Sequence, residues 1–276
     1  MSRYYREIFA FITAPIRSLT SNWGLINALV RRDFFGRYQG SMLGVLWSLF
    51  NPLLMLAIYT LVFSVAFKAR WDMGAEGRIT FSIILFSGII VHSFFAECIT
   101  RAPGIITGHA GYVKKVVFPL EILVWMTTLS AALHFLISFV VLLIFCALSG
   151  TVIHPEIILL PLILLPLLLM TVGVCWIIAS LGVYLRDLSQ ITAMFSTVSL
   201  FLAPIFYPTE GLPPNFQPLL YVNPITLPVV QLRELLLFGK PLNWEHWAVS
   251  LICGFIIFHF GYEWFQKTRK GFADVV

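Results

Sequence analysis

Residues 31–67 read RRDFFGRYQGSMLGVLWSLFNPLLMLAIYTLVFSVAF, and their reading decides the fold class. A basic, aromatic lead-in meets a long apolar run, with Gly40 and Gly44 at the seam. Residues 43–67 are 25 in number and carry no charge. About 20 apolar residues are enough for a helix to cross the hydrocarbon core of a bilayer. A surface element therefore becomes a membrane span at this seam.

The rest of the chain agrees. Hydrophobic residues make up 59% and charged residues 11% of the 276, and mean hydropathy is +0.90. That leaves room for six spans and short connections in a single all-α membrane domain, residues 1–276, with no sizeable soluble unit. The 18 Lys and Arg against 13 Asp and Glu fit loops retained on the cytoplasmic face, not a nucleic-acid surface. Cys98, Cys146, Cys175 and Cys253 are far apart in apolar runs, so no zinc site or disulfide framework is indicated. The first apolar run is too late and too long for a cleaved signal peptide, and the first span is expected to serve as the anchor.

Before the seam, residues 1–42 hold six arginines, and Trp23, Ile26, Val30 and Phe34 recur at helical intervals, with Asn27 and Arg31 on another face. This predicts an amphipathic helix lying at the headgroups, apolar side in lipid; a plain basic flank is the alternative. After it, a 43–265 core is expected to hold six spans, near 43–67, 79–98, 122–148, 157–185, 188–207 and 247–265, followed by a cytoplasmic tail, 266–276. Pro161 and Pro166 should tilt or kink the fourth span. Glu97 is placed to pair with Arg101 one turn on. Seven of the 15 prolines fall in 207–246. The apolar stretch 229–238 inside that region is too short to span and fits short re-entrant helices between spans five and six. With both termini inside, cytoplasmic segments hold thirteen basic residues and external ones five, which selects that orientation.

The chain lacks a phosphate-binding loop, a His-Glu-x-x-His pair and a Gly-x-Ser-x-Gly elbow. His134 and His259 sit in apolar runs and are read as imidazoles bonded to a neighbouring helix. The acids Glu97, Glu121 and Glu263 lie near span ends and not at mid-membrane, so an ion-coupled carrier lacks its parts. No catalytic or metal-ligating residue is assigned, and energy must arrive from elsewhere. Aromatic faces are the remaining signal. Tyr59, Phe63 and Phe67 share one face of the first span, and Phe195, Ser199, Leu202 and Phe206 one face of the fifth. Such faces suit stacking against sugar rings; helix packing and lipid-facing belts are the more frequent origin of such stripes.

Several pieces together resemble the polysaccharide-export ABC transporter permeases, which move O-antigen, capsular polysaccharide and teichoic acid. They are Arg32-Asp33, residues 37–41, Leu43-Gly44, Leu46-Trp47 and Pro52, then Arg186-Asp187-Leu188, Pro204 to Pro208, Leu212-Pro213, and Asn223-Pro224 ahead of Arg233. The resemblance implies a homodimer in the bacterial inner membrane, carrying two copies of a separate ATPase that holds the ATP and Mg. It implies no cofactor on this chain and a lipid-linked polysaccharide as cargo. Tyr59, Phe63, Phe195, Ser199 and Phe206 would then line the passage. Pro103, Gly104, Ile105, Ile106 and Gly108, braced by Arg186 and Asp187, would receive the ATPase. Arg31, Arg32 and Arg37 would attract the lipid diphosphate, or serve only as positive-inside residues. An exporter of drugs or lipids is the rival reading within transport, and a lipid-linked sugar transferase the rival enzyme.

Overall fold

The computed structural model describes residues 13–62, 77–114, 118–209, 213 and 215–275. Phe63 and Phe67 of the aromatic face, and Lys115 of the second connection, lie outside them. Among the described residues all regular structure is helical. A helical stretch at 13–21 leads into α1 (Trp23–Gly36), α2 (Leu46–Tyr59), α3 (Gly77–Arg101), α4 (Ile122–Leu148), α5 (Leu160–Tyr184), α6 (Leu188–Leu202), α7 (Thr226–Leu237) and α8 (Trp244–Thr268). Four helical stretches, centred on α3, α4, α5 and α8, are long and apolar enough to cross a membrane; Leu46–Val62 and Leu188–Leu202 are apolar but shorter.

The direction of each helix follows from its partners. Trp247 Nε1 donates to the Leu162 carbonyl at 2.8 Å and Trp264 Nε1 to Ser180 Oγ at 2.8 Å, so α5 and α8 run parallel. Their backbones touch because the contact positions are glycine. A Cβ on Gly173 would strike the Ile257 backbone, and one on Gly261 would strike Gly173 itself. Small residues let helices approach closely where lipid offers no hydrophobic drive. The end of α5 meets the end of α3, since a Cβ on Gly182 would strike the Pro103 backbone. Thus α3, α5 and α8 point one way. α6 runs opposite to α3: His92 of α3 bonds the Ser196 carbonyl at 3.0 Å, while the segment beyond α6 returns to Ile84.

The structure adds detail to these expectations. The buried side of α1, Ile26, Leu29, Val30 and Phe34, packs on α4 and not into lipid, although Trp23 stays 54% exposed. Gly40 (φ 80°) and Gly44 (φ 54°) are left-handed turn residues joining α1 to α2, a conformation that penalises any Cβ. Pro161 sits in the first turn of α5, where its missing N–H costs nothing, and Pro166 lies inside the helix. The fifth apolar stretch ends as helix at Leu202 instead of near 207, because Pro204 removes a donor. The chain end packs against the bundle. The turns Arg269–Gly271 and Phe272–Val275 fold back, Phe272 is fully buried, and Arg269 pairs with Glu121 at 3.1 Å.

Candidate functional site

Three constructions concentrate the polar chemistry. At one end of the bundle an ion cluster joins α1, α3 and α4. Asp33 takes Arg101 at 2.6 Å and Arg37 at 2.9 Å; Glu97 takes Arg37 and Arg101 at 3.5 Å. Arg37 also donates to Ser130 Oγ at 3.1 Å. Two carboxylates thus face two guanidiniums, which keeps the partly buried set balanced. His134 Nδ1 lies 3.0 Å from Glu97 Oε2 and Nε2 3.1 Å from Tyr38 Oη. A tautomer with Nδ1–H donating to Glu97 and Nε2 accepting from Tyr38 satisfies both ring nitrogens. Burial raises the Asp33 carboxyl, but hydrogen bonds from Arg101, Ser130 and Arg37 and the Arg101 charge outweigh it and hold it at about 2. The expected Glu97–Arg101 pair is present; the contribution of α1 to it was not legible from local spacing.

The connection after α3 forms the second construction. α3 ends in a tight turn, Ala102–Gly104, followed by Thr107–His109 and Ala110–Val113. Pro103, Ile105 and Ile106 are buried in this chain, at 4% exposure or less for the two isoleucines, whereas Gly104, Thr107, Gly108 and Gly111 are exposed. The isoleucines therefore anchor the segment, and its outward surface is the threonine and the glycines. The far half is tied to α1: Arg32 donates to Tyr112 Oη at 3.3 Å. The Tyr112 ring stacks on Phe118 at 4.3 Å and lies parallel to His109 at 5.9 Å. Arg186 and Asp187 are exposed in the turn that follows α5, close in sequence to Gly182 and its contact with Pro103.

The third construction lies toward the other end of α3, where α6 breaks. The last four carbonyls of any helix lack internal partners, and in a membrane no water replaces them. Side chains do so here. Asn223 Nδ2 donates to the Ser199 carbonyl at 2.8 Å, and Tyr207 Oη to those of Phe201 and Leu202 at 3.0 and 3.1 Å. Arg233 of α7, 4% exposed, donates to the carbonyls of Pro204 (2.5 Å), Ile205 (3.0 Å) and Ile84 (3.0 Å). Its signal in the sequence is an ionisable residue inside the short apolar stretch 229–238; the carbonyls it serves are not legible there.

The aromatic set divides. Phe195 is 48% exposed and lies on an open face of α6 with Ile191, Met194, Val198 and Phe201. Ser199, one turn on from Phe195, is 3% exposed and lines the buried edge of that face with Thr192 and Ser196. Tyr59 and Phe206 are half-buried, and Phe206 stacks on Phe201 at 5.7 Å. Of the arginines, Arg31 is exposed, Arg32 holds Tyr112 and Arg37 is committed to the ion cluster. His259 bonds the carbonyl of Phe255 in its own helix at 3.0 Å. Among the described residues no group of His, Cys, Asp or Glu is placed to hold a metal.

The family model for the ABC-2 type transporter matches residues 24–237, from α1 through α7. The O-antigen export system permease protein RfbA of Klebsiella pneumoniae is 27% identical over 255 residues, 91% of this chain and 95% of that one. A protein of the same name from Myxococcus xanthus is 28% identical over 193 residues, 70% and 72% of the two chains. The capsule polysaccharide export inner-membrane protein CtrC of Neisseria meningitidis is 21% identical over 257 residues, 92% and 94% of the two. With its apolar helices and a family match that runs over more than three-quarters of its length, the chain belongs to the ABC-2 type transporter family as a membrane permease.

Proposed function

We propose that this chain is the transmembrane subunit of an ATP-driven exporter that carries lipid-linked polysaccharide, of the O-antigen or capsule class, across the bacterial inner membrane. The observation that carries the reading is similarity to O-antigen export permeases over nine-tenths of both chains. The fold is compatible with it at each step. Six crossings with both termini cytoplasmic follow if α2 and α6 complete their spans with non-helical backbone. The parallel course of α5 and α8 supports this, since the chain must return across between them. α7 and the turn Gln217–Leu220 would then dip into the external face as re-entrant elements.

The ion cluster, the Ala102–Val113 connection and the Arg186-Asp187 turn would share the cytoplasmic end. There the exposed Gly104, Thr107, Gly108 and Gly111 offer a low-relief surface to a partner ATPase, and the α5 end behind Pro103 passes its displacement into the bundle. Two copies of this chain with two ATPases would place Phe195 and Tyr59 along a shared passage. Arg31 is exposed at the entry side, where each basic residue contributes about 1 kcal/mol toward an anionic headgroup.

Affinity purification of the tagged chain from its native membrane tests the assembly. An ATPase subunit at equal stoichiometry, in a particle containing two copies of each, is the expected result. A chain purifying alone, with glycosyl-transfer activity, would replace this reading with the enzyme.

A further inference from the structure

We propose that Arg233 and Gly88 form a pin that fixes the break at the end of α6, and that this pin keeps the external end of the passage shut at rest. The inference rests on the export reading for its biological meaning, but its geometry is independent of the cargo.

The sequence creates the need. Pro204 cannot donate to the carbonyl four residues back, so α6 stops, and Ala203 takes an extended backbone, φ −73°, ψ 146°. Beyond it the Pro204 and Ile205 carbonyls point inward, both residues being buried. A guanidinium suits this site because its planar fork delivers several N–H groups at fixed angles. Arg233 uses Nη1 on Pro204, Nη2 on Ile205 and Nε on Ile84. One side chain from α7 therefore ties the broken strand to the wall of α3.

Room for the fork comes from α3. A Cβ on Gly88, one turn past Ile84, would lie 2.7 Å from Arg233 Nη2 and 3.2 Å from the Ile205 side chain. The tip of an arginine ordinarily swings aside at little cost, but three carbonyls hold this one. An alanine at position 88 would displace the fork without changing any charge. Next to the pin, Asn223 holds the Ser199 carbonyl and caps the Ile225 amide at 3.2 Å, so the start of α7 is bound to α6 as well. The segment 203–209 and α7 are thereby one unit, hinged on α6 and latched to α3 through Arg233. Arg233 is in this account a positioning residue: it touches backbone, not cargo.

The test uses the complete permease–ATPase complex in proteoliposomes, with three variants: Arg233→Lys, Arg233→Gln and Gly88→Ala. Release of a trapped small hydrophilic dye without ATP reports the closed state and does not depend on the cargo. ATP-driven glycan transport is measured in parallel. The expected result is a dye leak raised several-fold in all three variants, with assembly and ATPase binding retained and transport per ATP reduced; Gly88→Ala matching Arg233→Lys is the signature of the pin. Sealed vesicles with normal transport would overturn the proposal. So would loss of assembly and thermal stability in all three without leak, because Arg233 would then serve only the fold. A wild-type complex that moves no glycan while the variants still leak would overturn the export reading and leave the pin standing.

Discussion

Asp33 and Arg37 lie one helical turn apart at the close of α1 and reach residues 60 to 100 positions away. Asp33 is 15% exposed at its side chain and Arg37 26%, so their pairing is shielded more than a surface ion pair, for which the usual value is about 0–1 kcal/mol. Removing one partner strands its mate. Arg37→Ala should lower stability by about 3 kcal/mol, read as a fall in unfolding temperature in detergent, and Glu97→Gln should fall in the same direction. The pH dependence has a defined sign. The Asp33 carboxyl is at about 2 when folded and about 3.9 when unfolded, so its contribution is complete above pH 4 and disappears as pH falls toward 2. The stability difference between wild type and Asp33→Asn should therefore be flat between pH 5 and 8 and shrink as pH falls toward 2; a difference that changes near pH 6 would contradict this. Phe195 tests the aromatic passage better than Ser199, whose side chain is buried. Phe195→Ala should cut glycan export while Phe195→Tyr preserves it, with assembly equal in both. Equal export by Phe195→Ala and Phe195→Tyr would make the ring a packing or lipid-facing group.

At the scale of elements, uninterrupted apolar runs were the most legible. α3, α4, α5 and α8 fall where hydropathy placed them, because a span of about 20 residues leaves little freedom in position. The ends were less so. The stop of α6 at Leu202 depends on Pro204, and the seat of Pro103 depends on the end of α5 at Gly182, which no local pattern announces. Helical periodicity located α1 but did not say what covers its apolar side, since lipid and α4 are equally apolar. The same limit hid the meeting of Asp33 with Arg101 and of Arg233 with Gly88, which are fixed by tertiary packing across 68 and 145 positions. For the connection after α3, the consequence is a change of target. A large residue at Ile105 or Ile106 would disturb the core first, whereas Gly108→Arg alters only the exposed surface; a Cβ there meets nothing within 4 Å. Gly108→Arg should leave the helices inserted and stable but reduce ATPase retention or transport several-fold. Unchanged ATPase binding together with unchanged transport would remove this surface from the mechanism.

The whole molecule combines a bundle of apolar helices with a polar end built from the Asp33–Glu97 ion cluster, the end at which an ATPase is proposed to dock. The helix directions and the thirteen-to-five basic asymmetry are the grounds for proposing both termini on the cytoplasmic side. Reporters fused after Val276 and inserted near Asn215 should read cytoplasmic and external respectively; the reverse at both sites would invert the bundle and move the proposed ATPase surface out of reach of ATP. The family was legible from motif order along the chain, whereas the cargo rests on likeness to relatives alone. The most direct test of the export claim is therefore the location of lipid-linked glycan in cells lacking this chain. Deletion should abolish surface polysaccharide while lipid-linked polymer accumulates on the cytoplasmic side, with recovery on re-expression. Undiminished surface polysaccharide, or a block before any lipid-linked polymer is made, would contradict the account.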